Sequence, residues 1–481
     1  MPSSFHQAAA LGINAGMDQE GGGTQAIGAL SQAIADGKTT KLAVATAFRR
    51  LFRVRIRLGF LDPPTTVPYN YLNGTEAQAP SHMNIALQTA LASMTLLKND
   101  KKVLPLSKAA LATGAGGAPS VALIGPQAKD AGLLMGNYAE SASNGNWGTS
   151  VFDAVTALVG ASAVVQADGC DSVACGSTAG FAAAVTAAAP AKVVVVMLGL
   201  DFNSGDAADE SEGHDRSQIE LPGHQAGLVA ALRTAYPTKP IVGLLVHGGT
   251  LALGAAGTQL DAIMSAWYPG IEGGNAIAMT LFGEAGANPA GRSASTWYKQ
   301  TSDLMPAQEQ NENAGTGMTY RYIKNYKGAV VYPFGFGLSY TTFAYDKLAA
   351  AASSVGPCDP ITLTVAVTNT GPLDGDEVVQ VYAQTPDATV PTARVRLVAF
   401  ERVHIKAGAS TVVTLTVLPD THSVVYPNAD VYHDSRQVEV GKVLLSVGGG
   451  QPDYYAGVVA TTVTVTGATK PLKDCDRVQQ A

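Results

Sequence analysis

Between Gly199 and Gln225 the sequence reads GLDFNSGDAADESEGHDRSQIELPGHQ. Asp209, Glu210, Glu212 and Asp215 stand beside Arg216 with no helical period to spread them, in a chain that is only 14% charged. Carboxyl groups gathered this closely can divide acid–base work. Burial or a like charge raises the pKa of one so that it keeps a proton, while a partner stays ionised. From spacing alone, a solvated acidic loop is the simpler reading. The position favours more, because the stretch follows directly on KVVVVMLGL, a run of strand formers.

Elements that could position this loop come from the hydrophobic pattern. The chain has 481 residues, 46% of them hydrophobic, and 52 glycines. That is too long for one core, and two or three domains are expected. From about Ser120, short β-branched runs (SVALIGP, AKVVVVMLGLD, KPIVGLLVHGG, LDAIMSAWYPG) alternate with alanine-rich helical stretches. Continuous apolar strands joined by helices predict a parallel sheet covered on both faces. Ligands of such sheets bind outside the C-terminal strand ends, where the acidic stretch lies. Beyond the aromatic, glycine-rich VVYPFGFGLSYTTF the texture changes to period-two alternation, as in ITLTVAVTNTG and STVVTLTVLP. That predicts an all-β sandwich of about seven strands.

The N-terminal region, His6 to about Phe60, reads as helical, with Leu42, Ala45, Phe48, Leu51, Phe52, Ile56 and Leu58 near a 3.6-residue period. Arg49, Arg50, Arg53, Arg55 and Arg57 fall mainly on the other face, as a solvated helix face or a domain contact. Gly59 is the expected C-cap, with Pro63 and Pro64 beyond it. Helix is expected again from Ser81 to Lys98.

Composition excludes several classes. No run of about 18 uncharged apolar residues occurs, so no membrane span is expected. Net charge is −7 with scattered basic residues, which excludes nucleic acid as a partner. Cys170, Cys175, Cys358 and Cys475 read either as buried thiols or as two disulfides, one local and one tying the ends of a domain. Histidine spacing predicts no metal site. Asn73, in NGT, is a possible glycosylation acceptor. Met1 to Glu20 lack the basic start of a secretory leader.

Several stretches resemble glycoside hydrolase family 3 in family order. AVTNTGPLDGDEVVQVY and LVAFERVHIKAG resemble its closing fibronectin type III-like domain, and YPFGFGLSYTTF the segment before it. TLLKNDKKVLPLS, VALIGPQA, WYPGIEGGNAIAMTLFGEAGANPAGR and EGHDRSQIELPGHQ resemble its α/β sandwich domain. LGINAGMDQEGG and FRRLFRVRIRLGFLDPP resemble the last helices of its (β/α)8 barrel. GCDSVAC and EGHDR resemble the plant and fungal β-xylosidase branch. The resemblance implies α/β plus all-β architecture: a barrel remnant at 1–62, a linker and helical connection at 63–119, an α/β sandwich with a mainly parallel sheet at 120–330, a linker at 331–350, a fibronectin type III-like β-sandwich at 351–470 and a tail at 471–481. The serines and alanine of GRSASTWY (Ser293, Ala294, Ser295) depart from the family's usual Leu-Pro-Val.

The resemblance also implies a reaction. Family members are retaining glycosidases, with an aspartate nucleophile on the barrel and a glutamate acid/base on a loop of the sandwich domain. Retention needs the two carboxyl groups about 5–5.5 Å apart. Glu212 matches the acid/base of the family's Glu-Gly-x-Asp-Arg arrangement, and Glu210 is the alternative, since the xylosidase branch shows two glutamates two apart. Asp215 and Arg216 are expected to form an ion pair that orients the loop. Asp18 matches a position that shapes the sugar-binding end of the barrel. The nucleophile's Val-Ser-Asp-like motif does not occur, so the chain is expected to lack most of the barrel and, alone, to be a poor catalyst. The implied activity is exo-β-xylosidase action on xylan-derived oligosaccharides, extracellular or in the cell wall, without a cofactor. An α-L-arabinofuranoside or β-glucoside substrate, and a non-catalytic carbohydrate- or protein-binding fragment, are the alternatives.

Overall fold

VVVVMLG at Val193–Gly199 is buried at every position, as a strand covered on both faces must be. In the computed structural model, which describes residues 4–21, 23, 25–112, 118–139, 148–202, 204–306, 308–426 and 436–475, this segment is one of the inner strands of a six-stranded sheet. The strands are β1 (Thr95–Lys98), β2 (Val121–Ile124), β3 (Val164–Ala167), β4 (Val193–Gly199), β5 (Ile241–Val246) and β6 (Ala262–Ser265), in the order β1-β6-β5-β4-β2-β3. All neighbours are parallel except β1, which runs antiparallel to β6 at one edge. Along β4 the side chains divide by parity. Val193, Val195 and Met197 enter a core with the helices Val151–Val159 and Gly273–Phe282. Val194, Val196 and Leu198 enter another with Phe181–Ala188 and Gln225–Ala235.

The chain divides into two compact units, a smaller one built on Met1–His82 and a larger one built on Met83–Pro427 and Asp434–Ala481. The smaller unit is helical, with Phe5–Asn14, Gln25–Gly28, Leu30–Ala35 and Lys41–Arg57. Lys41–Arg57 buries only Ala47, and Leu42, Phe48, Ile56 and Leu58 stay exposed. The expected helix is present, with Ala45, Leu51 and Phe52 of its apolar stripe half-buried. Gly59 follows the end of the helix at φ 80° and donates to the Ile56 carbonyl, a left-handed stop that suits glycine.

Two boundaries differ from the sequence expectation. The helix expected through Lys98 stops at Ser93, and TLLK becomes β1. Pairing with β6 buries Leu96 and Leu97, a tertiary gain that outweighs local helix preference. The segment read as a linker at 331–350 holds Phe343–Ala350, a strand that pairs antiparallel with Ile361–Asn369. Together with Ser410–Val417 these form a three-stranded sheet. It faces a five-stranded sheet made of Ser354–Val355, Gly375–Gln384, Arg396–Ile405, Gly441–Gly448 and Val459–Val465 across a core of Val, Leu and Ile. Cysteines 170 and 175 are disulfide-bonded, as are Cys358 and Cys475, the second pair spanning 117 residues. Residues 476–481 of the expected tail lie outside the described residues.

The two domains of the larger unit share polar contacts. Arg292, in the loop after the helix Gly273–Phe282, donates to Glu377 at 2.8 Å, with only 9% and 4% of the two side chains exposed. Gln380 donates to the carbonyls of Gly335 and Gly449, and the Tyr455 hydroxyl donates to Gly337. The Phe334–Tyr340 segment is thereby stitched to the sandwich.

Candidate active site

The acidic loop leaves β4 at Gly199, crosses the C-terminal ends of β4, β5 and β6, and returns at the helix Gln225–Ala235. Gly199 has φ 136°, and a Cβ there would sit 1.9 Å from the Val246 carbonyl oxygen. Only glycine lets β4 turn this close to β5. Gln225 then closes the loop, accepting from the Gly199 amide at 2.9 Å and donating to its carbonyl at 2.9 Å.

Within the loop the four acids separate into two roles. Asp209 is buried and accepts from the amides of Gly205 (2.6 Å) and Ser211 (2.8 Å), a local turn lock. Glu210 is half-buried, and three donors converge on its two oxygens. The Gly248 amide and the Tyr268 hydroxyl (2.6 Å) reach Oε1, and the Gly249 amide reaches Oε2 at 2.8 Å. A Cβ on Gly248 would stand 3.0 Å from Oε1, so this double-glycine turn admits the carboxylate by having no side chains. Glu212 and Asp215 are exposed. The Glu212 amide donates to Asn137 Oδ1 at 2.9 Å, and its carboxylate lies by Tyr138. The Tyr138 phenol is held above its ordinary range by desolvation and by the neighbouring Glu212 charge, to which it donates.

The expected ion pair between Asp215 and Arg216 does not form. Arg216 turns inward instead, donating to the carbonyls of Gln218 (2.8 Å) and Glu220 (3.1 Å). Burial lowers its pKa, and Glu210, Tyr268 and Glu220 oppose that shift. Arg216 thus bonds through Nη2 within its own loop rather than to Asp215.

Asp201, one residue before Phe202 on the same loop, was not among the sequence candidates. Burial raises its pKa to about 6, with Ser204 opposing and the charges of Asp206, Asp209 and Glu210 adding to the rise. The like-charge effect expected of this cluster therefore falls on Asp201. Only its place at a strand end could have marked it.

Asp18 lies in the smaller unit, where Arg50 grips it through Nε (2.9 and 3.1 Å) and Nη2 (2.7 Å). One arginine of the basic run thus serves a bidentate ion pair within its own unit. Asn73 is exposed and caps Gly74–Ala77, its Oδ1 accepting from the Thr75 amide at 2.9 Å.

Beneath the Gly248–Gly249 turn lies His247, fully buried, its pKa lowered to about 4 by burial, with the Gly249 bond opposing and the Arg216 charge assisting. An unfolded histidine near 6.5 binds a proton that this native site refuses. Its contribution to stability is therefore complete above about pH 6.5 and is lost as the pH falls toward about 4, by up to about 3 kcal/mol. His422, also lowered to about 4 by burial, gives the same sign, and Asp201 the opposite one. Denaturant melts between pH 4 and 7 are expected to show a shallower stability slope for His247→Asn than for the parent, and equal slopes would refute the assignment.

The profile of the glycosyl hydrolase family 3 C-terminal domain matches residues 94–340, half of the chain, and a fibronectin type III-like domain matches 377–451. The chain belongs to glycosyl hydrolase family 3. Among its family 3 relatives, Beta-D-xylosidase 1 of Arabidopsis thaliana is 34% identical over 93% of this chain and 58% of its own length. A GH3 exo-beta-xylosidase, solved with a xylobiose aziridine activity-based probe, superposes with a TM-score of 0.77 at 27% identity, covering 98% of this chain and 59% of that one. A β-glucosidase of Erythrobacter marinus gives 0.76 at 27% identity, covering 97% and 61%. This family 3 chain thus spans under two thirds of the length of the relatives it matches. No helix among its described residues is long and apolar enough to cross a membrane.

Proposed function

We propose that this chain supplies the acid/base half of a retaining β-glycosidase, with Glu212 as proton donor and a nucleophilic aspartate on a barrel that precedes the residues here. One observation carries the choice of Glu212 over Glu210. The oxygens of Glu210 already accept from Gly248, Gly249 and Tyr268, so that carboxylate is an anchor. Glu212, two residues on, keeps its carboxylate at the surface, with its amide fixed by Asn137. The bonding of Glu210 thus sets the height of Glu212 above the strand ends. Arg216 and Tyr268 are support, and Asp18, tied by Arg50, shapes its own loop. The N-terminal helices are read as barrel helices, a reading supported by the exposed Leu42, Phe48, Ile56 and Leu58.

The substrate we assign is a β-xyloside at the non-reducing end of xylan-derived oligosaccharides, supported by 34% identity to a plant β-D-xylosidase. A β-glucoside is the second reading, favoured by the Erythrobacter β-glucosidase neighbour. The two disulfides support an oxidising destination, extracellular or cell wall. Expressed with the coding sequence upstream of Met1, the protein is expected to hydrolyse aryl β-xylosides with kcat/KM at least about tenfold above aryl β-glucosides, about 1.4 kcal/mol of discrimination. The reverse order would transfer the assignment to glucosides. Binding of xylo-oligosaccharides with no hydrolysis of either would favour the non-catalytic alternative.

A further inference from the structure

The Gly248–Gly249 turn that holds Glu210 carries no side chain of its own, so only hydrogen bonds fix its peptide planes. On one side are the oxygens of Glu210. On the other is His247, whose Nδ1 lies 2.6 Å from the Gly249 carbonyl oxygen. A carbonyl only accepts, so Nδ1 carries the proton. The neutral ring then leaves Nε2 bare, and at 2.8 Å it accepts from the Ser265 hydroxyl at the end of β6. Packing fixes the ring plane as well. Its centroid lies 4.8 Å from that of Trp267 and 5.1 Å from that of Trp297, the latter edge-on. Trp267 itself holds a left-handed φ of 59°, strained for a bulky residue, and its carbonyl accepts from the His247 amide at 3.3 Å. The next residue, Tyr268, supplies the third donor to Glu210.

We propose that His247 is a positioning residue: with its tautomer set by the Gly249 carbonyl and its Nε2 held by Ser265, it aims the Gly248–Gly249 amides at Glu210 and so fixes the loop that presents Glu212. Residue Gly249 is gripped on both sides of its Cα, its carbonyl by a rigid buried ring and its amide by the loop. Glu210 in turn donates its own amide to the Asp201 carbonyl at 3.0 Å, tying the outgoing and returning arms of the loop together. The charged groups facing this assembly are Arg216, beside both His247 and Glu210, and Asp201. The catalytic consequence rests on the reading of Glu212 as proton donor.

Hydrogen–deuterium exchange of the chain tests the positioning role without any activity. His247→Leu keeps an apolar side chain of similar size and cannot donate. The amides of 199–216 and of Gly248–Gly249 are expected to exchange about tenfold faster, the factor carried by one lost hydrogen bond, while β2 and β3 keep their protection. His247→Asn, whose Nδ2 takes the place of Nδ1, is expected to restore most of that protection. Unchanged exchange in the leucine variant overturns the proposal. Should that variant fail to fold, Ser265→Ala, which removes the donor to Nε2 alone, is expected to loosen the same segment, and unchanged exchange there overturns the proposal equally. In the enzyme with its upstream sequence, His247→Leu is expected to lower kcat for xylosides with poor leaving groups about tenfold, with KM unchanged. Faster exchange with no leaving-group dependence would uphold His247 as the loop's support and remove Glu212 from the donor role.

Discussion

Glu212→Gln, in protein expressed with its upstream coding sequence, is expected to lower kcat for xylosides of poor leaving groups by about 10²–10⁴-fold, the usual worth of a positioned general acid. Glutamine keeps the size of the side chain and its amide bond to Asn137 Oδ1 is a backbone contact, so the loop itself should be undisturbed. Aryl xylosides whose leaving groups depart without a proton are expected to lose far less in the bond-breaking step. That contrast isolates proton donation. Glu210→Gln should behave differently. Its amide group cannot accept from three donors at once, so at least one of Gly248, Gly249 and Tyr268 loses its partner. The loop then loosens and displaces Glu212 with it, so the loss is expected to be smaller than in Glu212→Gln and to come with faster amide exchange over 199–216, which Glu212→Gln leaves unchanged. If Glu212→Gln retained full activity on poor leaving groups while Glu210→Gln showed the leaving-group contrast, the two roles would have to be exchanged.

A second large effect is expected far from the loop. Arg292→Met leaves Glu377 buried at the contact between the α/β domain and the sandwich with no countercharge. Burial works against the Arg292 charge, but Glu377, Tyr455 and Tyr345 outweigh it and hold the guanidinium above its ordinary pKa. Removing one partner of such a pair costs about 3–5 kcal/mol, whereas replacing both by apolar side chains is close to neutral. For a unit of this size that corresponds to a melting point lowered by roughly 5 °C. Calorimetry of Arg292→Met, of Glu377→Leu and of the double variant checks it. The double variant is expected to melt nearer the parent than either single one, and to do so in one transition if apolar contacts alone keep the domains joined. Equal losses in all three would show that the pair's charge balance is not what stabilises the contact.

The reading of the sequence succeeded where chemistry is local. Period two in ITLTVAVTN buries alternate residues of that strand, and the unbroken apolar run of Val193–Gly199 is covered on both faces. Both patterns follow from where successive Cβ atoms point. The left-handed stop at Gly59 was legible for the same reason. TLLK was not. Four residues fit either a helix end or a strand, and β6, some 165 residues later, decides between them.

The acidic cluster was legible as a cluster, and the strand before it told which end of the sheet it crosses. Its inner division of labour was not. Glu210 and Glu212 stand two apart with near-identical neighbours, and what separates them is a double-glycine turn at 248–249 and a tyrosine at 268, brought in by β5 and β6. Likewise the inward turn of Arg216, the raised pKa of Asp201 and the buried tautomer of His247 depend on distances that no spacing along the chain encodes. Backbone pattern is set by each residue's own shape and solvation, so the sequence alone determined the layers and their order. Which carboxylate is gripped by three donors and which stays exposed depends on groups from two separate strand ends, and only the tertiary fold brings those within hydrogen-bonding reach.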